Sequence, residues 1–341
     1  MDRLVRNWGR VRPRVVTFAA PGGGRRDEGP VEVVRVPRPA WMGRRGSIGL
    51  VNAAAVAQAA RYRPDLVLSG HVNVSPAAWA LGKMLHVPYV QYVHGREVVV
   101  RPRLSRRALG GAAAVVAVSR YSAELAMQCG AEPACVHQIP PGVDLVESRG
   151  SRGDDPPTVV TVTRLEERYK GIDVLIRAMP LVRARVPGAR LVVVGDGHMR
   201  STYVSLAAAL GLKGIVVFAG SVSDEERNRI LDCGHVFAMT SRLSSDGGGE
   251  GFGIVYLEAG LHGLPVVGGD VAGARDAVVD GETGLLVDPN DHLAVAEAIS
   301  ELLTNPALAE SLGRGGSQRA REHSWPSIAR RVEDLLLEVA G

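Results

Sequence analysis

The chain has 341 residues, of which 46% are hydrophobic, 22% charged and only 4% aromatic. That is the profile of a soluble globular chain long enough for two domains, and too poor in rings for a polysaccharide surface built from stacked aromatics. Formal charge is +4 overall but divided, with 21 Lys/Arg against 10 Asp/Glu over residues 1–150 (+11) and 19 against 26 thereafter (−7). A basic first half fits an anionic partner such as a membrane surface, a lipid-linked phosphate or nucleic acid, with solvated surface charge as the plainer alternative. Cys129, Cys135 and Cys233 are odd in number and lack metal-like spacing, as expected of free thiols in a reducing cytosol. The N-terminus carries arginines but no apolar core of signal-peptide length. Stretches such as Ala112–Val118 are far shorter than the roughly 20 residues of a membrane helix. A cytoplasmic protein is expected, at most peripheral to the inner face of the plasma membrane.

In chain order, β-branched runs alternate with alanine-rich helical stretches, the pattern of parallel α/β sheets. Met1–Arg12 reads as a helix. Strands are predicted at Arg14–Ala19, Val31–Val36, Leu66–Ser69, Tyr89–Val93, Ala114–Val118 and Val136–Ile139. Helices are predicted at Leu50–Tyr62, Ser75–Leu85, Arg103–Leu109 and Tyr121–Cys129. Glu147–Pro157 is polar, rich in Gly, Ser, Asp and Pro, and aperiodic, so it reads as a linker. The pattern then restarts with strands Thr158–Thr163, Arg190–Val194 and Ile215–Ala219 and helices Ile172–Val186, Thr202–Leu210 and Asp224–Cys233. Further strands are expected near Val236, Pro265 and Leu285. Two doubly wound domains across a linker imply a cleft, with ligands beyond the carboxyl ends of the strands.

The most informative segment runs from Ser241 to Asp288. The strand Val236–Thr240 empties into a loop carrying Gly247, Gly248, Gly249 and Gly251, then Glu250-Gly-Phe-Gly-Ile-Val-Tyr-Leu-Glu258. Ile254, Leu257 and Leu261 mark one face of a helix ending at Gly263, with Pro265 just beyond. Glycines ahead of a helix let backbone N–H groups approach an anion at the positive helix end. Glu250 on the loop and Glu258 inside the helix would repel phosphates, so they are expected to face hydroxyls. The segment reads as a nucleotide-sugar site. Arg164 closes one strand and Lys170-Gly171 opens the next helix, a pair of cations suited to a diphosphate. Val192-Val-Val-Gly195-Asp196-Gly197 ends another strand. A dinucleotide fingerprint would need a glycine where Arg200 stands, so hydride transfer is excluded. His94 ends the strand Tyr89–Val93, where a histidine is structural or catalytic. Arg101, Arg103, Arg106 and Arg107 lie among apolar residues, fit either for anionic lipid or for a solvated loop.

Two glutamates eight apart with Gly-Phe-Gly-Ile between them resemble the signature of the family 4 retaining glycosyltransferases. The nearest likeness is to the actinobacterial phosphatidylinositol mannosyltransferases. The resemblance implies the GT-B fold: two Rossmann-like domains facing a cleft, acceptor site in the first and donor site in the second. Domains are expected at 1–150 and 151–322. A C-terminal helix within 323–341, Trp325-Pro326 followed by Ile328–Val339, would cross back onto the first. By the same resemblance Glu250 sits at the transferring sugar, Glu258 holds the nucleotide ribose, and the backbone amides of Phe252, Gly253 and Ile254 meet the diphosphate or sugar hydroxyls. Arg164 and Lys170 hold the diphosphate, Gly195 and Gly197 border the nucleotide, Gly220–Glu226 resembles the loop lining the base pocket, and His94 faces the transferring sugar. Downstream, Ala272–Val278 and Asp280–Asp288 resemble the family's closing signature, with Ala272 where a glycine is usual. No Asp-x-Asp occurs, so no metal and no cofactor are expected beyond the nucleoside diphosphate sugar. Relatives open with a strand, a glycine-rich loop and a helix. Here that strand and loop are missing, because Pro21–Gly24 reads as a surface loop after the second strand of the usual order.

These residues lead to metal-independent, retaining transfer of a hexose, with mannose from GDP-mannose favoured by resemblance, to a hydroxyl on a lipid, polysaccharide or small metabolite. The rivals are a non-catalytic nucleotide-sugar-binding homologue and another GT-B enzyme, an epimerase or a phosphorylase. Nucleic acid is not expected as a partner, because the arginines lack aromatic companions and a recognition motif.

Overall fold

The computed structural model describes residues 1–19, 31–38, 41, 43–146 and 156–341. The Pro21–Gly24 loop and all but the last two residues of the expected linker lie outside these residues. The chain divides into two units, Met1–Gly142 with Trp325–Gly341, and Val143–Ser324. The first division therefore falls eight residues before the one expected at 150.

Strands of the first unit are β1 (Arg14–Phe18), β2 (Glu32–Val36), β3 (Val67–Ser69), β4 (Tyr89–Val93), β5 (Ala114–Ala117) and β6 (Val136–Gln138). Those of the second are β7 (Thr158–Val162), β8 (Arg190–Val194), β9 (Val216–Gly220), β10 (Val236–Met239), β11 (Val266–Gly269) and β12 (Gly284–Val287). Every strand pair is parallel. Parallel strands with helices on both faces bury both sides, and β4 (Tyr-Val-Gln-Tyr-Val) and β10 (Val-Phe-Ala-Met) are buried throughout their length.

The first unit holds two sheets, β1-β2 and β3-β4-β5-β6. Among the described residues, β1 and β3 are thus edge strands. The valines of β1 and β3 are only half-buried, whereas β4 and β5 between neighbours are closed off. The second unit is one six-stranded sheet in the order β12-β11-β10-β7-β8-β9. The chain moves outward from β7 through β8 to β9, then returns to the other side of β7 with β10. The switch point lies between β7 and β10, where open α/β sheets place their ligands. The core of this unit is anchored by the helix Ile172–Arg185, whose Leu175, Ile176, Met179 and Val182 are fully buried. Each such side chain contributes about 1.5–3 kcal/mol.

The first predicted helix is much shorter than expected, spanning only Asp2–Arg6. Beyond it, the N–H groups of Gly9, Arg10 and Val11 all donate to Glu333 Oε1, at 3.0, 2.5 and 2.8 Å. No local pattern announces an acceptor more than 300 residues away. Glu333 lies on the C-terminal helix Trp325–Ala340 and is almost wholly buried. Burial pushes its carboxyl up, but donation from Arg10, Val11 and Gly9 outweighs that and leaves it below the usual glutamate range. The carboxylate thus stabilises the fold above the unfolded-state pKa and loses that contribution as pH falls through the lower folded value. Glu333→Gln is expected to cost about 1–3 kcal/mol at pH 7. In urea titrations, the gap between variant and parent should close as pH falls from about 6 toward 3.

Several helices differ from the sequence reading. The helix predicted from Leu50 starts at Arg44, its first turn hidden by Gly46 and Gly49. Arg96–Val100 is helical despite three consecutive valines. Two further helices, His292–Thr304 and Pro306–Glu322, fill the interval after Asp288, where the sequence pattern predicts no element.

Candidate active site

Two loops leave the sheet at the switch point. The β7 loop carries Arg164 and a single turn of 3-10 helix, Arg168–Lys170, before Gly171 starts the next helix. The β10 loop carries Glu250 to Gly253 and feeds the helix Ile254–Leu261. Cross-links fix them to each other. Thr240 Oγ1 donates to Gly171 O at 3.1 Å, and Arg242 donates to Arg168 O at 3.2 Å and to both oxygens of Asp173 at 2.9 and 3.0 Å. Gly273 N–H donates to Glu250 O at 2.9 Å, holding the glutamate's backbone from a third loop.

These ties bring Lys170 Nζ to 2.5 Å from Glu250 Oε2, with side-chain exposures of only 13% and 14%. The cation expected on the diphosphate and the carboxylate expected on the sugar are in direct contact. Tyr169 lies against the same ammonium, its ring centroid 5.1 Å away. Arg164 is exposed and, among the described residues, makes no side-chain hydrogen bond or ion pair. Phe252 is buried with its ring 6.1 Å from that of His323, so it offers backbone and not its ring to a ligand. Gly253 has φ +92°, and a Cβ there would lie 2.5 Å from the Tyr256 ring. Among the described residues, the N–H groups of Phe252, Gly253 and Ile254 have no acceptor. They stand at the positive end of the helix.

Glu258 lies one helical turn on and faces the helix Asp224–Asp232, with Arg227 at 4.0 Å. Burial raises its carboxyl above the ordinary value; Arg227 pulls the other way and Asp224 adds to the rise. A group of this kind favours folding as pH falls, whereas the role expected of it at the nucleotide ribose would call for the ionised form. A nucleoside diphosphate sugar, whose diester phosphates stay ionised throughout, is therefore expected to lose affinity as pH falls through the raised carboxyl range in calorimetric titrations. Glu258→Gln is expected to bind more weakly throughout and to show a flat profile.

Gly195 and Gly197 follow β8. Gly195 has φ +121°, and a Cβ there would fall 1.9 Å from Thr163 O, so the β8 turn lies directly on the end of β7. A Cβ on Gly197 would meet Leu165 C at 2.4 Å in the same way. In the other unit, His94 follows β4 with three restraints. Its N–H donates to Glu97 Oε1 at 2.5 Å, its Nε2 lies 3.1 Å from Gly70 O, and its ring stacks on Tyr92 at 5.5 Å. Gly70 O only accepts, so Nε2 carries a proton, and in the neutral ring Nδ1 is the acceptor. Arg103, Arg106 and Arg107 are exposed on the helix Pro102–Leu109, with Arg107 5.0 Å above the Trp79 ring and Arg101 just ahead of it.

Arg242, Asp173 and Glu97 were not singled out from the sequence. Each acts by holding a loop, and only the fold reveals the partner. Ala272 has φ +49°, the left-handed region, at the position where the closing signature usually carries glycine.

Two parallel α/β units, the second with opposed charges at its switch point and, among the described residues, N–H groups without an acceptor on the same loop, fit the nucleotide-sugar transferase class. The chain matches the family described as "Glycosyl transferases group 1" over residues 147–319, and "Glycosyltransferase Family 4" over residues 1–147. It belongs to this family and is a glycosyltransferase of GT-B fold. It is 37% identical over 266 residues to a GDP-mannose-dependent alpha-(1-6)-phosphatidylinositol monomannoside mannosyltransferase of Mycolicibacterium smegmatis, spanning 72% of this chain and 69% of that protein. Over 327 residues it is 31% identical to a D-inositol 3-phosphate glycosyltransferase of Salinispora tropica, spanning 84% and 66%. Sucrose-phosphate synthase from Thermosynechococcus elongatus shares the fold with a TM-score of 0.81 at 24% identity, over 95% of this chain and 87% of that one.

Proposed function

We propose that this chain moves mannose from GDP-mannose to a hydroxyl of an inositol-bearing phosphate acceptor, with retention at the anomeric carbon and without a metal ion. The single observation that carries this is the convergence of Lys170, Glu250 and the free N–H groups of Phe252 to Ile254 at the switch point. Mannose and the inositol phosphate are taken from what the two relatives are named for. The acceptor is lipid-linked in one and free in the other.

As the glycosyl bond breaks, negative charge builds on the terminal phosphate of the departing nucleotide. Arg164, Lys170 and the helix N-terminus would supply the fixed positive charge that stabilises it, the task that a divalent ion performs in metal-dependent transferases. Glu258 would accept from the ribose and Glu250 from the hexose. His94, with Nδ1 open, would accept a hydrogen bond from the transferring sugar. Gly195 and Gly197 would let the nucleotide lie against backbone.

The test is nucleotide release from a panel of GDP- and UDP-sugars in EDTA, with Glu250→Ala as control. Phosphatidylinositol, its monomannoside and inositol 3-phosphate would be the acceptors. Release from GDP-mannose that depends on one acceptor and is lost in the control is the expected result. Among the described residues β1-β2 do not pair with β3–β6, which favours a second reading, donor binding without turnover. Intact GDP-mannose binding with no release on any acceptor would establish it.

A lipid acceptor also requires contact with a membrane. No helix among the described residues is long and apolar enough to cross one. Arg101, Arg103, Arg106 and Arg107 would instead rest on anionic headgroups. Replacing all four is expected to abolish co-sedimentation with vesicles containing phosphatidylinositol; unchanged sedimentation would remove this surface from the reading.

A further inference from the structure

We infer that the Lys170–Glu250 pair is a latch that a nucleoside diphosphate sugar opens readily and a bare nucleoside diphosphate opens only at a cost. This inference rests on the donor-site reading above and adds to it a means of discriminating substrate from product.

The pair is built into the fold. Lys170 precedes Gly171, whose carbonyl is held by Thr240, while Arg242 grips the carbonyl of Arg168 in the same turn. The backbone of Glu250 is held by Gly273 N–H. The two side chains meet at 2.5 Å with little exposure, so each has exchanged most of its hydration for the other. Separating them leaves two poorly solvated charges, and removing the partner of one such charge is far more costly than replacing both.

A ligand must therefore satisfy both halves. A diphosphate supplies an anion to Lys170 but offers Glu250 no donor. A hexose attached to that diphosphate supplies hydroxyl donors to Glu250. The nucleotide sugar thus compensates both charges, whereas the free nucleotide compensates one and leaves a buried carboxylate alone. Arg164, exposed and without a side-chain partner among the described residues, gives either ligand an initial phosphate contact at no such cost. Once the hexose has left on the acceptor, Glu250 loses its donors and competes with the phosphate for Lys170. Reclosure of the pair then drives the nucleoside diphosphate out, which helps where product release limits turnover.

Calorimetric titration of the full chain and of Glu250→Gln with GDP, GDP-mannose, UDP and UDP-glucose tests this. The glutamine keeps the shape and loses the charge that holds Lys170. GDP is expected to bind the variant about tenfold more tightly than the parent, with GDP-mannose unchanged or weaker, so that the preference for the sugar nucleotide collapses. GDP binding that is unchanged or weakened in the variant, while the parent binds GDP-mannose, would overturn the latch and leave the donor site standing. Failure of all four ligands to bind the parent would overturn the donor site and the latch with it. A second measurement avoids the variant's folding altogether. The chain has only three lysines, Lys83, Lys170 and Lys213. The Lys170 side-chain signal in 13C-lysine-labelled protein, assigned through Lys170→Arg, should move fully with saturating GDP-mannose and remain divided between two states with saturating GDP. Identical spectra with the two ligands would also overturn the proposal.

Discussion

Lys170→Ala is expected to lower kcat on GDP-mannose by on the order of 10²- to 10³-fold, the range found when one preorganised charge-stabilising donor is removed from a reaction centre. The backbone around Lys170 is fixed by a turn that Thr240 and Arg242 hold, so once the donor has drawn the ammonium from Glu250 it would need little further reorganisation as charge develops on the leaving phosphate. Truncation also leaves Glu250 without its partner in a poorly hydrated position, which raises the cost of its ionised form. Lys170→Arg should recover only part of the loss, because a planar fork cannot take the place of a compact ammonium 2.5 Å from Glu250. Steady-state rates with saturating acceptor are the measurement. A kcat within about threefold of the parent would remove Lys170 from leaving-group stabilisation.

The second large effect concerns stability. Gly171 has φ +75°, and a Cβ on it would lie 2.0 Å from Thr240 O and 2.5 Å from Thr240 Oγ1, both in the buried seam between β7 and β10. Gly171→Ala therefore combines left-handed backbone strain with overlap that no flexible side chain can relieve. The expected cost is about 3 kcal/mol or more. For a unit the size of Val143–Ser324 that corresponds to a fall in Tm of about 6–12 °C. Gly211→Ala separates the two contributions, since Gly211 has φ +70° with nothing within 4 Å of its would-be Cβ. It should cost only about 1 kcal/mol. Equal losses in the two variants by calorimetry would show that packing against Thr240 contributes nothing. Gly171→Ala should also weaken nucleotide binding beyond its effect on folding, because moving Thr240 moves both loops of the site.

Much of this was legible in the sequence, for local reasons. Apolar runs of four or five residues between helical stretches specify parallel strands, and their order along the chain specified the two α/β units of the GT-B fold. Glycines ahead of a helix and two acids eight apart marked out the loop Glu250–Gly253 and the helix Ile254–Leu261, because those features act over a single loop. Distant pairing was not legible. The helix expected over Met1–Arg12 stops at Arg6, and the N–H groups of Gly9 to Val11 go to Glu333, whose acceptor role depends on where the last helix lies. The helix expected from Leu50 begins at Arg44 and runs through Gly46 and Gly49, because tertiary packing outweighs a propensity penalty of about 1 kcal/mol per glycine.

Composition and periodicity therefore determined the class of fold, and the motif around Glu250 and Glu258 carried the resemblance that the family match bears out. They could not determine that Lys170 and Glu250, 80 residues apart, pair with each other, or that Arg164, among the described residues, has no side-chain partner. A charge's partner is set by which loops a sheet brings side by side, and the order β10-β7-β8 exists only once the chain has doubled back past its own first strand.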